Sequence, residues 1–215
     1  MNRSHLLGIG VVLLAVAMHL AAQENGKDKG KRPPTPNYWP LEVGNTWTYK
    51  LEALGKSLDI RSTIRNIDKI NDMPLARMET TENEEVAGSE HLQQSATGVF
   101  RHLYNGVEIE PPICILKYPL KGGEKWKGKG KIGNELIIYS GDAREEEVKV
   151  AAGKFKTIRV DLRVDVKGEP ILTTYWFAEN VGIVRQTVQI GDIDLVMDLQ
   201  KFERGPAKKD DAKEP

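Results

Sequence analysis

Ile158-Arg159-Val160-Asp161-Leu162-Arg163-Val164-Asp165-Val166-Lys167 alternates an aliphatic residue with a charged one, and the charges themselves alternate in sign. Successive side chains of a strand point to opposite faces, so this stretch reads as a β-strand with one buried and one solvated side. The same period runs outward from it in both directions. Trp47, Tyr49, Leu51 and Ala53 interleave with Thr46, Thr48, Lys50 and Glu52. Leu58, Ile60 and Ile64 interleave with Asp59, Arg61, Thr63 and Arg65, and Ile193, Leu195, Met197 and Leu199 repeat the design near the end. Turn pairs punctuate these runs at Leu54-Gly55, Asn71-Asp72, Asn105-Gly106, Gly122-Gly123, Gly141-Asp142, Lys167-Gly168 and Gly191-Asp192. No window carries a helical stripe. The pattern predicts an all-β, antiparallel domain with one face buried and one wet.

Two internal matches organise the strands. Trp39-Pro40-Leu41-Glu42-Val43-Gly44-Asn45-Thr46-Trp47 and Tyr118-Pro119-Leu120-Lys121-Gly122-Gly123-Glu124-Lys125-Trp126 both read aromatic-Pro-Leu-x-x-Gly-x-x-Trp, 79 residues apart. Thr97-Gly98-Val99-Phe100-Arg101 resembles Val181-Gly182-Ile183-Val184-Arg185, 84 residues apart. The period is too long for a solenoid. It predicts two similar β-meanders, residues 38–116 and 117–203, forming one curved antiparallel sheet or an open barrel. Trp47, Trp126 and Trp176, with Gly44, Gly123 and Gly182, are the expected structural anchors.

The flanks differ from this core. Met1–His5 carries Arg3, Leu6–Met18 is wholly apolar or Gly, and Ala21-Ala22 precedes an abrupt turn to polar residues. This is the layout of a secretory signal peptide over residues 1–22, and the apolar run is shorter than the roughly 20 residues a spanning helix needs. Residues 23–37 contain no Ala, Val, Ile, Leu, Met, Phe, Trp, Tyr or Cys, which predicts a disordered linker, and 204–215 predict a disordered tail. The folded unit is then 38–203. No cysteine stands directly after the apolar run, since the chain's one cysteine is Cys114. A lipid-anchored start, a disulfide framework and a multi-cysteine zinc site are therefore not expected. Lys plus Arg and Asp plus Glu both number 31, so nucleic acid is not an expected partner.

The segments that carry the internal match also carry a family resemblance. Trp39-Pro40-Leu41 through Gly44-Asn45-Thr46-Trp47-Thr48-Tyr49 is similar to the opening of TapB-like proteins, exported bacterial domains of unknown function. Leu116-Lys117-Tyr118-Pro119-Leu120 with Gly123 and Trp126, Val150-Ala151-Ala152-Gly153-Lys154-Phe155 with Ile158-Arg159-Val160, and Tyr175-Trp176-Phe177-Ala178 with Val181-Gly182-Ile183-Val184 extend the resemblance across the folded unit. Ala151 stands where such families usually have Pro. The resemblance implies export and an antiparallel β-fold, and supplies no catalytic residue.

Several motifs suggest chemistry, and each has a plainer explanation. Gly128-Lys129-Gly130-Lys131-Ile132-Gly133 satisfies a dinucleotide-binding pattern, but the strand-like Asn134-Glu135-Leu136-Ile137-Ile138-Tyr139 follows instead of a helix, so a hairpin loop is expected. Lys125, Lys127, Lys129 and Lys131 around Trp126 form a candidate anion-binding edge for acidic glycans or lipid headgroups; the alternative is a solvated hairpin guarding a sheet edge. His91 and His102 lack a partner at metal-ligand spacing and read as strand histidines. Cys114, inside Ile113-Cys114-Ile115-Leu116, reads as a small core residue. Asp192, Asp194 and Asp198 are too spread for calcium, and Glu145-Glu146-Glu147 read as a solvated turn.

The resulting expectation is an exported, non-enzymatic binding module of the periplasm or extracellular space, with no cofactor and no metal. Its concave apolar face would take a lipid or another apolar ligand in the cell envelope. The alternative is a structural or protein-interaction domain that meets an envelope partner through its sheet surface. A hydrolase without a recognisable motif ranks third. No transmembrane span remains once the signal segment is cleaved.

Overall fold

The computed structural model describes residues 36–119 and 123–206. The signal segment, the linker up to residue 35, the tail from residue 207, and Lys121 lie outside the described residues.

Twelve strands make up the domain: β1 (Thr46–Ala53), β2 (Lys56–Ile70), β3 (Met73–Glu82), β4 (Glu85–Ser95), β5 (Gly98–Tyr104), β6 (Val107–Lys117), β7 (Lys125–Ile132), β8 (Glu135–Val150), β9 (Gly153–Val166), β10 (Glu169–Ala178), β11 (Gly182–Ile190) and β12 (Ile193–Glu203). Every neighbouring pair is antiparallel and consecutive in sequence, and β1 also pairs with β12 from Thr46↔Glu203 to Ala53↔Leu195. The antiparallel all-β expectation holds, with one refinement: the sheet closes on itself into a barrel.

Closure puts one row of each strand inside and the other outside. On β9 the inward row is Ile158, Val160, Leu162, Val164 and Val166, while Arg159, Asp161 and Arg163 face out; Arg159 and Asp161 pair with each other and with Glu146 and Arg144 of β8, and Arg163 pairs with Asp165. Apolar inside and charged outside is the reverse of a membrane-spanning barrel, whose lipid-facing band is apolar.

The two ends of the barrel differ. Where the chain enters and leaves, Trp39 and Trp47 fill the interior at 2% and 1% exposure, with Phe177 at 0%. Trp39 packs on Phe177 at 5.6 Å between ring centroids, and Trp47 stacks on Phe202 at 5.3 Å. Their polar atoms are matched: the Trp47 indole N–H donates to the Val181 carbonyl at 2.6 Å, and the Tyr49 hydroxyl to that of Ile183 at 2.9 Å. Asn45 staples this end. Its amide donates to the Pro40 carbonyl and the Glu42 carboxylate, while its side-chain oxygen accepts from the Gly205 N–H at 2.9 Å. Gly182, at φ +99, lies so close to both tryptophans that a Cβ would sit 3.1 Å from Trp47 Nε1 and 3.3 Å from Trp39 Cδ1.

One seam needs side chains to close it. β6 and β7 pair only at Ile109↔Ile132 and Glu110↔Lys131, because Pro111 and Pro112 have no N–H to continue the ladder. Beyond them the Trp126 indole donates to the Cys114 carbonyl at 2.9 Å, and the Cys114 N–H donates to the Tyr139 hydroxyl at 3.4 Å. Glycine makes room for both rings: a Cβ on Gly141 would lie 2.2 Å from the Trp126 ring, and one on Gly128 2.4 Å from the Tyr139 ring. Gly141-Asp142, expected as a turn, thus lies inside β8, where the glycine admits the indole. Gly128 and Gly130 thus belong to β7, not to a loop, and only Gly133-Asn134 forms the turn. That corrects the hairpin-loop expectation for this glycine pattern.

Candidate functional site

About eight strands make a barrel just narrow enough for its own side chains to fill, and twelve enclose more space. Here that space is filled at the tryptophan end and hollow at the other. The inward rows record the gradient. On β12, Leu199 is fully buried, Leu195 and Met197 are half-buried, and Ile193 is 43% exposed. On β11, Ile183 is 5% exposed and Ile190 is 47% exposed. The domain is a cup, with its mouth at the end carrying the Leu54-Gly55, Asn105-Gly106 and Gly191-Asp192 turns.

Two cavities occupy the hollow half, of about 280 Å³ and about 240 Å³. Ile60, Met78, Leu195 and Met197 line the first, and Ile109, Ile132, Leu162, Val164 and Ile171 the second. They share Glu90, Arg101, Tyr104, Tyr175, Gln186, Val188 and Ile190 as common walls.

The shared wall is polar at its centre. Arg101 of β5 donates its Nε–H to Glu90 of β4 at 2.5 Å and an Nη2 hydrogen to the Tyr175 hydroxyl at 3.4 Å. Its guanidinium lies 5.5 Å from the centroid of the Tyr104 ring. The Arg101 and Glu90 side chains are only 15% and 18% exposed. Burial opposes the charge on Arg101, but Glu90 and Tyr175 outweigh it and hold the guanidinium pKa above its ordinary value. Burial likewise raises the Tyr175 pKa, keeping its hydroxyl protonated.

The residues singled out in the sequence scatter around this centre. Trp126 faces the interior, whereas Lys125, Lys127, Lys129 and Lys131 face out on alternate positions of the same strand, so they do not form one site. Lys125 pairs with Asp142 at 3.0 Å, and Lys117 with Glu124 at 2.7 Å; Lys127, Lys129 and Lys131 carry no ion pair among the described residues. Trp47 belongs to the closed end. Trp176, also buried, faces outward: its indole donates to Glu146 at 3.0 Å beneath the Arg159 guanidinium. Gly44 donates its N–H to the Ile64 carbonyl and Gly123 to that of Ala143, which fixes both lead-in segments at the closed end.

His91 is buried at 8% exposure on the outer side, 2.9 Å from Asp68, which also pairs with Arg77. The His91 hydrogen bond is the main influence holding the Asp68 carboxyl below its usual pKa. His102 contacts Gln93 at 3.2 Å. Cys114 is buried, and burial pushes its thiol pKa up to about 11, which makes it an inert core residue. Asp198 pairs with Arg185 through two hydrogen bonds, and Glu146 and Glu147 pair with Arg159 and Lys154. No cluster of His, Cys, Asp and Glu able to hold a metal occurs among the described residues. A roomier concavity of about 660 Å³ lies beside these glutamates and Phe155 at the β8–β9 hairpin, but Lys154, Lys156 and Glu179 add to its charged walls, which do not suit an apolar ligand.

Sequence reasoning passed over Glu90, Arg101 and Tyr175. The available signal is one of parity: Glu90 shares a face with Leu92, and Arg101 shares one with Val99, and both apolar neighbours are fully buried.

Fold and lumen together define a class: an up-and-down antiparallel barrel, aromatic-filled at one end and open at the other, with an apolar cup built around an internal ion pair. No protein-family profile and no curated protein matches the chain. Among solved structures it is similar to a lipoprotein candidate from Parabacteroides distasonis ATCC 8503, with a TM-score of 0.51 and 12% identity over 80% of this chain and 100% of that one. It is also similar to a candidate exported protein with a YmcC-like fold from Bacteroides fragilis NCTC 9343, at TM-score 0.44 and 15% identity over 77% and 98% of the two chains. The lipoprotein YmcC from Escherichia coli K12, described as hypothetical, matches at TM-score 0.36 and 11% identity over 76% and 89%. At 12% identity the likeness to the Parabacteroides distasonis structure shows a shared fold alone, and the TapB-like resemblance gains no profile match.

Proposed function

We propose that this domain is an exported, non-enzymatic binding module of the cell envelope, periplasmic or extracellular, whose open lumen takes a lipid or another apolar ligand. The observation that carries this reading is the burial gradient along the inward rows. The same aliphatic rows that are sealed at the tryptophan end are partly exposed around two cavities at the mouth. Together these cavities reach the low end of the range that small-molecule sites occupy, about 300–1,000 Å³. The names of the structural neighbours, and the TapB-like resemblance, favour export.

The test is titration with N-phenyl-1-naphthylamine, whose fluorescence rises on entering an apolar site. Val188 lines both cavities, so Val188→Trp fills the lumen from its centre. The purified domain is expected to bind the probe at one site, and the variant to lose it while keeping its β-sheet circular dichroism. A wild-type domain that leaves the probe dark overturns the proposal, as does a folded variant that binds it unchanged.

A second reading, docking to an envelope protein through the outer wall, has its own support. Leu136 and Ile138 are 58% and 59% exposed and lie directly across from Lys131 and Lys129. Partners recovered by cross-linking through that face, with an empty lumen, would favour it.

A further inference from the structure

The lumen is lined mostly by aliphatic and aromatic side chains, with neutral polar groups at Ser62, Thr80, Ser89, Thr173 and Gln186, and its one charged pair, Glu90 and Arg101, is already balanced. Glu90 and Arg101 sum to zero at mid-depth. Of the five guanidinium donors of an arginine, two are engaged here, by Glu90 and by Tyr175. The Glu90 carboxylate uses Oε2 towards Arg101, and its Oε1 has no hydrogen-bond partner among the described residues. The site therefore offers a ligand unused donors on Arg101 and an acceptor on Glu90, but no net charge.

That combination discriminates between amphiphiles. A hydroxyl on the head of a ligand can accept from Arg101 and donate to Glu90, satisfying both. A carboxylate can only accept, and would give up its hydration to sit beside an existing carboxylate with no spare cation to balance it. We propose that the lumen selects amphiphiles with an uncharged, hydroxyl-bearing head, such as long-chain alcohols and acylglycerols, over fatty-acid anions of the same chain length. The aliphatic rows take the chain, and the Glu90–Arg101 pair takes the head. This rests on the lumen-binding reading above and names its ligand class.

The experiment is displacement of N-phenyl-1-naphthylamine from the full chain at neutral pH by decanol and by decanoate. The wild-type protein is expected to favour decanol by at least about tenfold, the discrimination that one hydrogen bond to a charged group supplies. Glu90→Gln leaves Arg101 without its counter-ion and is expected to invert the preference, with decanoate gaining about tenfold or more. Because that variant strains the fold, Glu90→Leu/Arg101→Met provides a second comparison: it is expected to bind the probe and to distinguish the two heads less than threefold. Equal displacement by both ligands in the wild type, or a wild-type preference for decanoate, overturns the proposal and leaves the lumen reading standing. Failure of the wild type to bind the probe at all removes both. A double variant that keeps the full wild-type preference also overturns the proposal, since the pair would then play no part in it.

Discussion

Breaking the internal ion pair from one side should destabilise the barrel far more than removing it whole. Glu90→Gln preserves side-chain volume and strands the Arg101 guanidinium, whose side chain is 15% exposed against 18% for Glu90. Removing one member of a buried pair costs about 3–5 kcal/mol; residual contact with water at the mouth puts this pair near the lower end, about 3 kcal/mol. For a domain of this size that corresponds to a fall in Tm of about 6–12 °C. With a urea m-value of about 3 kcal/mol/M, the unfolding midpoint falls by about 1 M. Arg101→Met should cost a similar amount by stranding Glu90. Glu90→Leu/Arg101→Met replaces both charges with apolar side chains of comparable volume and should return to within about 1 kcal/mol of wild type. Urea unfolding followed by tryptophan fluorescence reads all four proteins, since Trp39 and Trp47 lie in the closed end. If each single change costs under about 0.5 kcal/mol and the two add, the pair is solvated and the lumen is not the shielded cup described above.

Trp126→Phe removes the indole donor from the Cys114 carbonyl at the β6–β7 seam. It should cost about 1–3 kcal/mol by the same urea assay, and a loss under about 0.5 kcal/mol would mean that the seam does not depend on this bond. Cys114, with its thiol pKa near 11, should resist a thiol reagent in the native protein at neutral pH and react fully in urea; fast native labelling would contradict its burial. Acid should weaken the fold. The carboxyls of Asp68, held by His91, and of Glu146, held by Trp176, have lowered pKa values. Asp161 does too, with Thr174 and Arg159 outweighing its burial. A depressed carboxyl contributes stability above its unfolded value, about 3.9–4.3, and loses it as pH falls through the folded value. The urea midpoint should therefore hold between pH 7 and 5 and decline progressively below about pH 4; a midpoint flat down to pH 3 would contradict the assignments.

The strands were legible because their signal is local. Alternation over Ile158–Val166 needs no knowledge of the partner strand, and the structure buries the row that the pattern selects. Closure was not legible, because pairing Thr46 with Glu203 joins the two ends of the folded unit. The polar centre was hidden for a subtler reason. The strings Thr97–Arg101 and Val181–Arg185 match, yet Arg101 points into the lumen and Arg185 points out to Asp198. In β11 the register slips opposite Trp176/Phe177, leaving Val184 as an extra residue, and one extra residue flips every side chain beyond it. The lysine run illustrates the opposite case: its outward orientation follows from simple alternation, and the same alternation sends Trp126 inward, away from any site the lysines could build.

The cup shape follows from where the connections are long. At the mouth all six hairpins have two-residue turns, with Leu54, Asn83, Glu84, Asn105 and Lys167 at positive φ, as tight hairpins require. Turns that short cannot fold back across a twelve-strand opening, whatever their sequence. At the other end the lead-in through Trp39, the segment at Tyr118 and the exit past Phe202 all bring aromatic mass over the barrel axis or against its wall. The aliphatic rows continue to the open rim regardless, so Ile190 and Ile193 remain 47% and 43% exposed beside a charged pair placed at mid-depth. A barrel whose only task was to be stable would have little reason to place an arginine and a glutamate there, since apolar residues of similar volume serve stability at least as well. Under the function proposed above, the pair is the group that meets a ligand entering from the mouth.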